Sequence, residues 1–295
     1  MIDGRMIGAD QRVKAGETII LPSIILRKQP LLSCLNLSAT GVPLVRVKRI
    51  KLFICFDRTL YIPEMLDLLY PRNCVRCGAS SPEALPHLCW DCLSDTPKID
   101  PPFCVCCGDP VAGDIQHDYT CFACSRETPA FDFARSAARY EGVVGEALRD
   151  LKYHQAVWLA PDLASLLLAC VQAEYPGVEF DGITAVPLHA TRFRARGFNQ
   201  SGLLAVALAR KMGIPYKGKM TRRIRSTTTQ TGLTAPQRAA NVHAAFRKGL
   251  FASLKGRRLL LIDDVMTTGA TVNACARALK EGGAESVHVV TVARG

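Results

Sequence analysis

Long apolar runs are missing from this sequence. The best candidate near its start, Ile19 to Leu26, is interrupted by Pro22 and is far shorter than the roughly 18 to 20 residues a spanning helix needs, so membrane insertion is excluded on length. The opening residues also lack, in the right order, the basic start, apolar core and small-residue cleavage site of a secretory signal, and the expected location is cytoplasmic. No Ser/His/Asp or Cys/His grouping emerges from spacing, which leaves nucleophilic covalent catalysis without a candidate. Acidic residues are absent from the whole stretch Gly182 to Ile262, which holds 16 Lys and Arg. That stretch alone exceeds the net charge of +11 that the full 295 residues carry.

A basic segment of this kind attracts DNA, RNA, acidic metabolites and phosphates alike, so charge predicts an anionic ligand without choosing one. Aromatic residues, 7% of the chain, are sparse among these cations: Phe193, Phe198, Tyr216, Phe246 and Phe251 give only weak support for a platform that stacks nucleic-acid bases. With 48% hydrophobic and 21% charged residues the composition is that of a folded chain of about two domains.

Three regions differ in composition. Residues 1 to 64 show no sustained periodicity and no motif; the expectation is a leader, disordered or a mis-assigned extension with the natural start near Met65, the alternative being a lineage-specific arm. Residues 65 to 127 hold nine of the thirteen cysteines. From 128 to 295, helical and strand patterns alternate. Ser136 to Tyr140 reads as a strand, and Val144, Ala147, Leu148 and Leu151 fall on one helical face. Asp162 to Ala173 repeats that period; a short strand, Ile183 to Val186, is followed by a loop and by a helix from near Asn199 to Gly213. Thr234 to Gln237 has the spacing of a capping box, Arg258 to Ile262 reads as a buried strand, Ala270 to Lys280 as a helix and Val287 to Val292 as a last strand. Strands separated by helices predict an α/β fold, a mostly parallel sheet with helices on both faces.

Four Cys-x-x-Cys pairs run in order: Cys74/Cys77, Cys89/Cys92, Cys104/Cys107 and Cys121/Cys124. Two pairs complete one tetrahedral four-thiolate site of the type structural zinc prefers, so the pattern predicts a double zinc ribbon with two zinc ions. Gly78 and Gly108 follow the leading pairs, where a knuckle turn readily uses positive φ. A redox Cys-x-x-Cys normally occurs once, at a helix start. Cys106 is expected not to ligate, nor His87 with eight well-spaced cysteines present, while Cys170 and Cys275 lie in apolar helical patterns and are expected to be buried. Trp90 and Phe122, inside the second pair of each ribbon, are placed for base stacking, with packing the expected role.

The most specific motif runs from Leu259 to Thr271: an apolar strand, Asp263-Asp264, then Thr267-Thr268-Gly269-Ala270-Thr271 and a helix. Amides at a helix start and three threonine hydroxyls make a cradle for a monophosphate, and carboxylates at the end of the strand suit ribose hydroxyls and Mg²⁺. A capping turn accounts for one Thr or Asp, not for Asp-Asp followed by Thr-Thr-Gly-x-Thr.

This segment resembles the 5-phosphoribosyl-1-pyrophosphate (PRPP) loop of type I phosphoribosyltransferases. Over about residues 65 to 295 the chain resembles the competence protein F (ComF) family, which joins a ribbon module to such a domain and is related to amidophosphoribosyltransferases. The supporting motifs are Leu151-Lys152-Tyr153, Val186-Pro187-Leu188-His189, Arg196-Gly197-Phe198-Asn199-Gln200-Ser201 and Gln230 through Arg238 to Asn241 and Phe246. The resemblance implies a type I phosphoribosyltransferase fold. It assigns Asp263 and Asp264 to the ribose and Thr267, Thr268, Gly269, Ala270 and Thr271 to the 5′-phosphate. The pyrophosphate would face the loop with His189, Arg192, Arg194, Arg196, Gly197 and Asn199, and Asp263, Asp264 and Arg196 are the expected catalytic residues. Arg222, Arg223, Arg225 and Arg238 would lie on a hood over the site. Glutamine-dependent amination is not expected, because the nucleophilic cysteine and glutaminase domain it needs are missing from this sequence.

Two functions follow from the resemblance. One is Mg²⁺-dependent transfer of the pentosyl group of PRPP to an unknown acceptor. The other is a DNA-uptake or repair protein that grips single-stranded DNA through ribbons and basic surface, with PRPP as regulator and a competence or helicase-type protein as partner.

Overall fold

The computed structural model describes residues 72–113, 115, 117–224, 245–249 and 254–295. The leader and the helix expected from Thr234 lie outside them, as do Arg225, Arg238 and the isolated Cys34 and Cys55. Two short helices, α1 (Trp90–Ser94) and α2 (Phe122–Arg126), belong to the cysteine-rich region. Then come β1 (Phe133–Arg139), α3 (Gly142–Tyr153), α4 (Ala160–Glu174), β2 (Gly182–Ala185), α5 (Ala190–Arg196), α6 (Gln200–Met212), β3 (Thr221–Arg223), β4 (Phe246–Lys248), β5 (Arg258–Met266), α7 (Ala270–Glu281) and β6 (Ser286–Arg294). Strands β1-β6-β5-β2 form one parallel sheet in that order, and β3 and β4 form a separate antiparallel pair.

Alternation along the central strands divides the core in two, because successive side chains of a strand point to opposite faces. Leu260 and Ile262 of β5 with Val290 and Val292 of β6 pack beneath α3, α4 and α6. Leu259, Leu261, Val287 and Val289 pack with the apolar face of α7. Each ribbon belongs to one of these cores: Cys74, Leu88, Cys89 and Cys92 to the first, and Cys104, Cys107, Cys121 and Cys124 to the second. Cys170 and Cys275 are buried, as their helical patterns predict, and burial pushes both thiols up to about 12.

Three expectations need correction. The segment read as a loop after β2 contains α5, which begins beyond His189, whose Nδ1 accepts the Thr191 N–H, and stops at Gly197 in the left-handed region at φ 84°. Strand β5 does not end at Ile262; it continues to Met266 because β6 pairs with it beyond that point, Asp263 opposite Thr291, Val265 opposite Ala293 and Met266 opposite Arg294. One segment, Val157–Glu174, does have the length and apolarity of a membrane span, with mean hydropathy 1.3 over 18 residues. Here its Leu159, Leu163 and Leu167 are buried in the first core.

Candidate functional site

Asp263 and Asp264 sit in the second half of β5, both buried. Asp263 Oδ1 accepts the Ser201 hydroxyl at 2.7 Å and the Asp264 N–H at 3.0 Å, while Asp264 Oδ1 accepts the Val265 N–H at 2.8 Å. The Lys152 ammonium, at the end of α3, lies 2.9 Å from Asp264 Oδ2. Burial, reinforced by the Asp264 charge, pushes the Asp263 carboxyl up to about 8.

This has a consequence for stability. A carboxyl that binds its proton more tightly folded than unfolded favours the fold at pH below its ordinary 3.8, and that contribution is lost as pH rises towards about 8. Asp263→Asn removes the burden. Its melting temperature should exceed wild type by a margin that grows from pH 4 to pH 8 and then levels; a margin independent of pH would contradict the assignment.

Around the carboxylates is a cavity of about 280 Å³. Lys152, Arg192, Arg196 and Arg223 line it with Asp263, Asp264 and Ser201, and Thr271 closes one side. Burial, and then the neighbouring Arg192 charge, lower the proton affinity of Arg223. Arg196 is oriented by Gln200 Oε1 at 2.6 Å and by the Tyr153 ring, 5.7 Å away. Four cations beside two carboxylates suit a ligand that is anionic at one end and hydroxylated at the other.

Among the residues expected to face pyrophosphate, the structure brings Arg192 and Arg196 to this cavity. The others have different places: His189 caps α5, Gly197 ends it, Arg194 is exposed, and Asn199 Nδ2 donates to the Val186 carbonyl at 3.0 Å. Lys152, Tyr153 and Ser201 line the cavity without having been assigned a role from sequence. Their presence in the Leu-Lys-Tyr and Asn-Gln-Ser motifs was the available signal.

The threonine turn leads from β5 into α7. Gly269 holds it at φ 76°, a left-handed conformation that calls for glycine; a Cβ there would displace only the Met266 methyl, 2.7 Å away at the end of a flexible side chain. Thr267 and Thr268 are exposed, and the Thr268 hydroxyl accepts the Ala270 N–H at 3.5 Å. Residues Thr267 to Thr271 line a second, larger cavity of about 930 Å³ whose far wall is the second ribbon; Thr271 borders both cavities.

The eight paired cysteines form two clusters, each with its four Sγ atoms within 4.8 Å of one another. A tetrahedral zinc with Zn–S bonds of about 2.3 Å requires sulfurs about 3.8 Å apart. Cys77 and Cys89 are separated by 3.6 Å and Cys107 and Cys121 by 3.7 Å, so the donor set fits zinc. Burial raises Cys74, but the backbone amides of Cys89, Cys77 and Arg76 outweigh it and bring the thiol down to about 6. Amides of Cys107, Cys121 and Cys106 likewise outweigh burial and bring Cys104 to about 7. Burial and neighbouring sulfurs push Cys92 and Cys124 far upward. Four thiolates this close need a cation. Gly78 and Gly108 have the positive φ expected of knuckle turns, and Cys106 and His87 stand outside the clusters. His87 lies instead against buried Asp162, to which its backbone N–H donates at 2.7 Å.

Comparison with known proteins agrees with this architecture. Residues 65–125 match the double zinc ribbon domain, and residues 199–295 the phosphoribosyl transferase domain. The fold class is thus a type I phosphoribosyltransferase domain preceded by a double zinc ribbon. Competence protein F of Haemophilus influenzae is 30% identical over 230 residues, 75% of this chain and 96% of that protein. DNA utilization protein YhgH of Escherichia coli is 33% identical over 71% of this chain and 98% of its own length. Competence protein ComFC of Bacillus subtilis is 29% identical over 70% and 84%. The chain belongs to the competence protein F family. Among solved structures, a glutamine PRPP amidotransferase from Bacillus subtilis aligns with 45% of this chain and 25% of its own at 24% identity and TM-score 0.31, too low an overlap to carry the fold, which rests on the family matches and the strand order.

Proposed function

We propose that this chain binds PRPP and transfers its pentosyl group to an acceptor, as a protein of competence or DNA utilization. The observation that carries the reading is the cavity in which the buried Asp263/Asp264 pair meets Lys152, Arg192, Arg196 and Arg223 beside the start of α7. In this reading Asp263 and Asp264 accept from the ribose hydroxyls and the Thr267–Thr271 turn donates to the 5′-phosphate. Arg192 and Arg196 hold the pyrophosphate. Magnesium takes hard oxygen ligands, commonly one or two carboxylates plus substrate phosphates, and the Asp pair fits that requirement. When bound, Mg²⁺ would offset pyrophosphate charge.

The bond from ribosyl C1 to pyrophosphate oxygen breaks with its electron pair leaving on pyrophosphate, and the acceptor forms the new bond to C1. The chain's part is to align the reactants, stabilise the departing charge with guanidinium donors and leave the cationic sugar beside carboxylates. No nucleophilic side chain is required. Titration of PRPP with and without Mg²⁺, followed by pyrophosphate release over candidate acceptors, tests the reading. Arg196→Ala should weaken PRPP roughly tenfold or more, the effect of losing one hydrogen bond to a charged group, and leave ribose 5-phosphate affinity unchanged. Wild-type chain that fails to bind PRPP would overturn the reading.

A second reading has its own observation. Trp90 and Phe122, expected to pack, are 62% and 74% exposed, and Arg126 lies 5.6 Å from the Phe122 ring. Exposed aromatics at matching positions of two ribbons suit base stacking, so single-stranded DNA held by the ribbons, with PRPP as regulator, is the alternative. Oligonucleotide anisotropy with Trp90→Ala and Phe122→Ala separates the two.

A further inference from the structure

The larger cavity has two walls of different origin: the turn Thr267–Thr271 and the ribbon residues Cys107, Cys121 and Cys124. Arg294, 6% exposed at the end of β6, joins them. Its guanidinium donates to the Cys107 carbonyl at 3.1 Å and to the Asp109 carboxylate at 2.8 Å, while its backbone lies opposite Met266, the residue directly before the turn. The helix that follows the turn is tied to the chain leaving the same ribbon, since Asn273 Oδ1 accepts the Ala130 N–H at 2.6 Å and Arg277 lies 3.1 Å from Glu127. The first ribbon packs into the core on the other face of the sheet, through residues such as Leu88 and the His87 contact to Asp162 in α4.

We infer that the second ribbon and the turn are one linked unit, in which Arg294 is the positioning residue, so that metal occupancy at Cys104, Cys107, Cys121 and Cys124 and phosphate affinity at Thr267–Thr271 rise and fall together. The inference rests on the phosphoribosyl reading above. Closing the four sulfurs on a metal fixes the Cys107 carbonyl, and that acceptor holds Arg294 and the strand end from which the turn departs. Coupling of this sort is reciprocal: ligand on the turn stabilises the metal site as much as the metal favours the ligand.

The test uses the full chain, with ribose 5-phosphate as the probe of the turn and pyrophosphate as the probe of the Asp/Arg cavity. Arg294→Ala and Cys124→Ser should each weaken ribose 5-phosphate roughly tenfold, within the usual range of coupling, with pyrophosphate affinity unchanged. Arg294→Lys should restore part of the loss, and Cys77→Ser, in the first ribbon, should leave affinity at the wild-type value. Because Cys124→Ser removes a core ligand, a second measurement uses Co²⁺ in place of zinc in the Cys77→Ser chain. Adding ribose 5-phosphate should then shift the thiolate-to-cobalt absorption of the second ribbon. A cobalt spectrum insensitive to ribose 5-phosphate, or unchanged affinity in Arg294→Ala, overturns the linkage alone. Wild-type chain that binds neither PRPP nor ribose 5-phosphate overturns the phosphoribosyl reading and the linkage with it.

Discussion

Above about pH 8, where the Asp263 carboxyl is ionised, replacing Asp263 and Asp264 together with asparagine is expected to weaken Mg·PRPP binding by roughly a hundredfold or more, the loss of two hydrogen bonds to charged groups at about 1.5 to 3 kcal/mol each. The fold should survive. An asparagine amide oxygen at 263 still accepts from the Ser201 hydroxyl and the 264 N–H, the bonds that now hold the aspartate. Two carboxylates buried side by side repel, so their neutralisation removes a cost as well as a counter-ion for Lys152. Calorimetric titration gives the affinity; circular dichroism and zinc content check the fold. Equal PRPP affinity in wild type and double variant would sink the phosphoribosyltransferase-type site. Loss of PRPP binding with retained single-stranded DNA binding would place the two ligands on separate surfaces and direct the DNA function to the ribbons.

Much of the fold was legible because its signals are local and periodic. The continuous apolar run of β5 and the one-sided helices α3 and α4 state their burial in sequence, and Gly213 ends α6 in the left-handed conformation its position implies. Cysteine spacing likewise defined both four-sulfur clusters, since Cys-x-x-Cys fixes two ligands locally. What sequence concealed depends on distant partners. Asp263 to Met266 continue as strand because β6 pairs with Asp263, Val265 and Met266, although two adjacent carboxylates read as a strand end. Arginines at every second position, Arg192, Arg194 and Arg196, gave α5 no apolar face and hid it; its signals were the His189 cap and the Gly197 stop. Lys152 meets Asp264 only because α3 and β5 converge in space, and no spacing rule links them. The placement of the two ribbons on opposite faces of the sheet is of the same kind: the repeat made them look equivalent, and packing gives only the second a wall facing the threonine turn.

Purified protein should carry two zinc ions per chain, and replacing Cys104 and Cys107 together with serine should leave one and lower the melting temperature by at least about 10 °C. The effect is expected to be large because these cysteines are buried in the core that contains Leu259, Leu261, Val287, Val289 and the inner face of α7. Without metal, each cluster must bury several thiols whose sulfurs lie within van der Waals reach, and apparent zinc-binding free energies of about 10 to 16 kcal/mol in small zinc domains show how much such a site can contribute. Loss should differ between ribbons. Cys77 is exposed, so Cys77→Ser removes the same metal contact from the first ribbon with less damage to packing. Acid should release both ions, as thiolates take up protons in competition with metal. Metal content by plasma emission spectroscopy checks the stoichiometry and calorimetry the stability. A value near one in wild type would remove a site, and two ions retained after loss of Cys104 and Cys107 would show that the second ribbon does not bind through four cysteines.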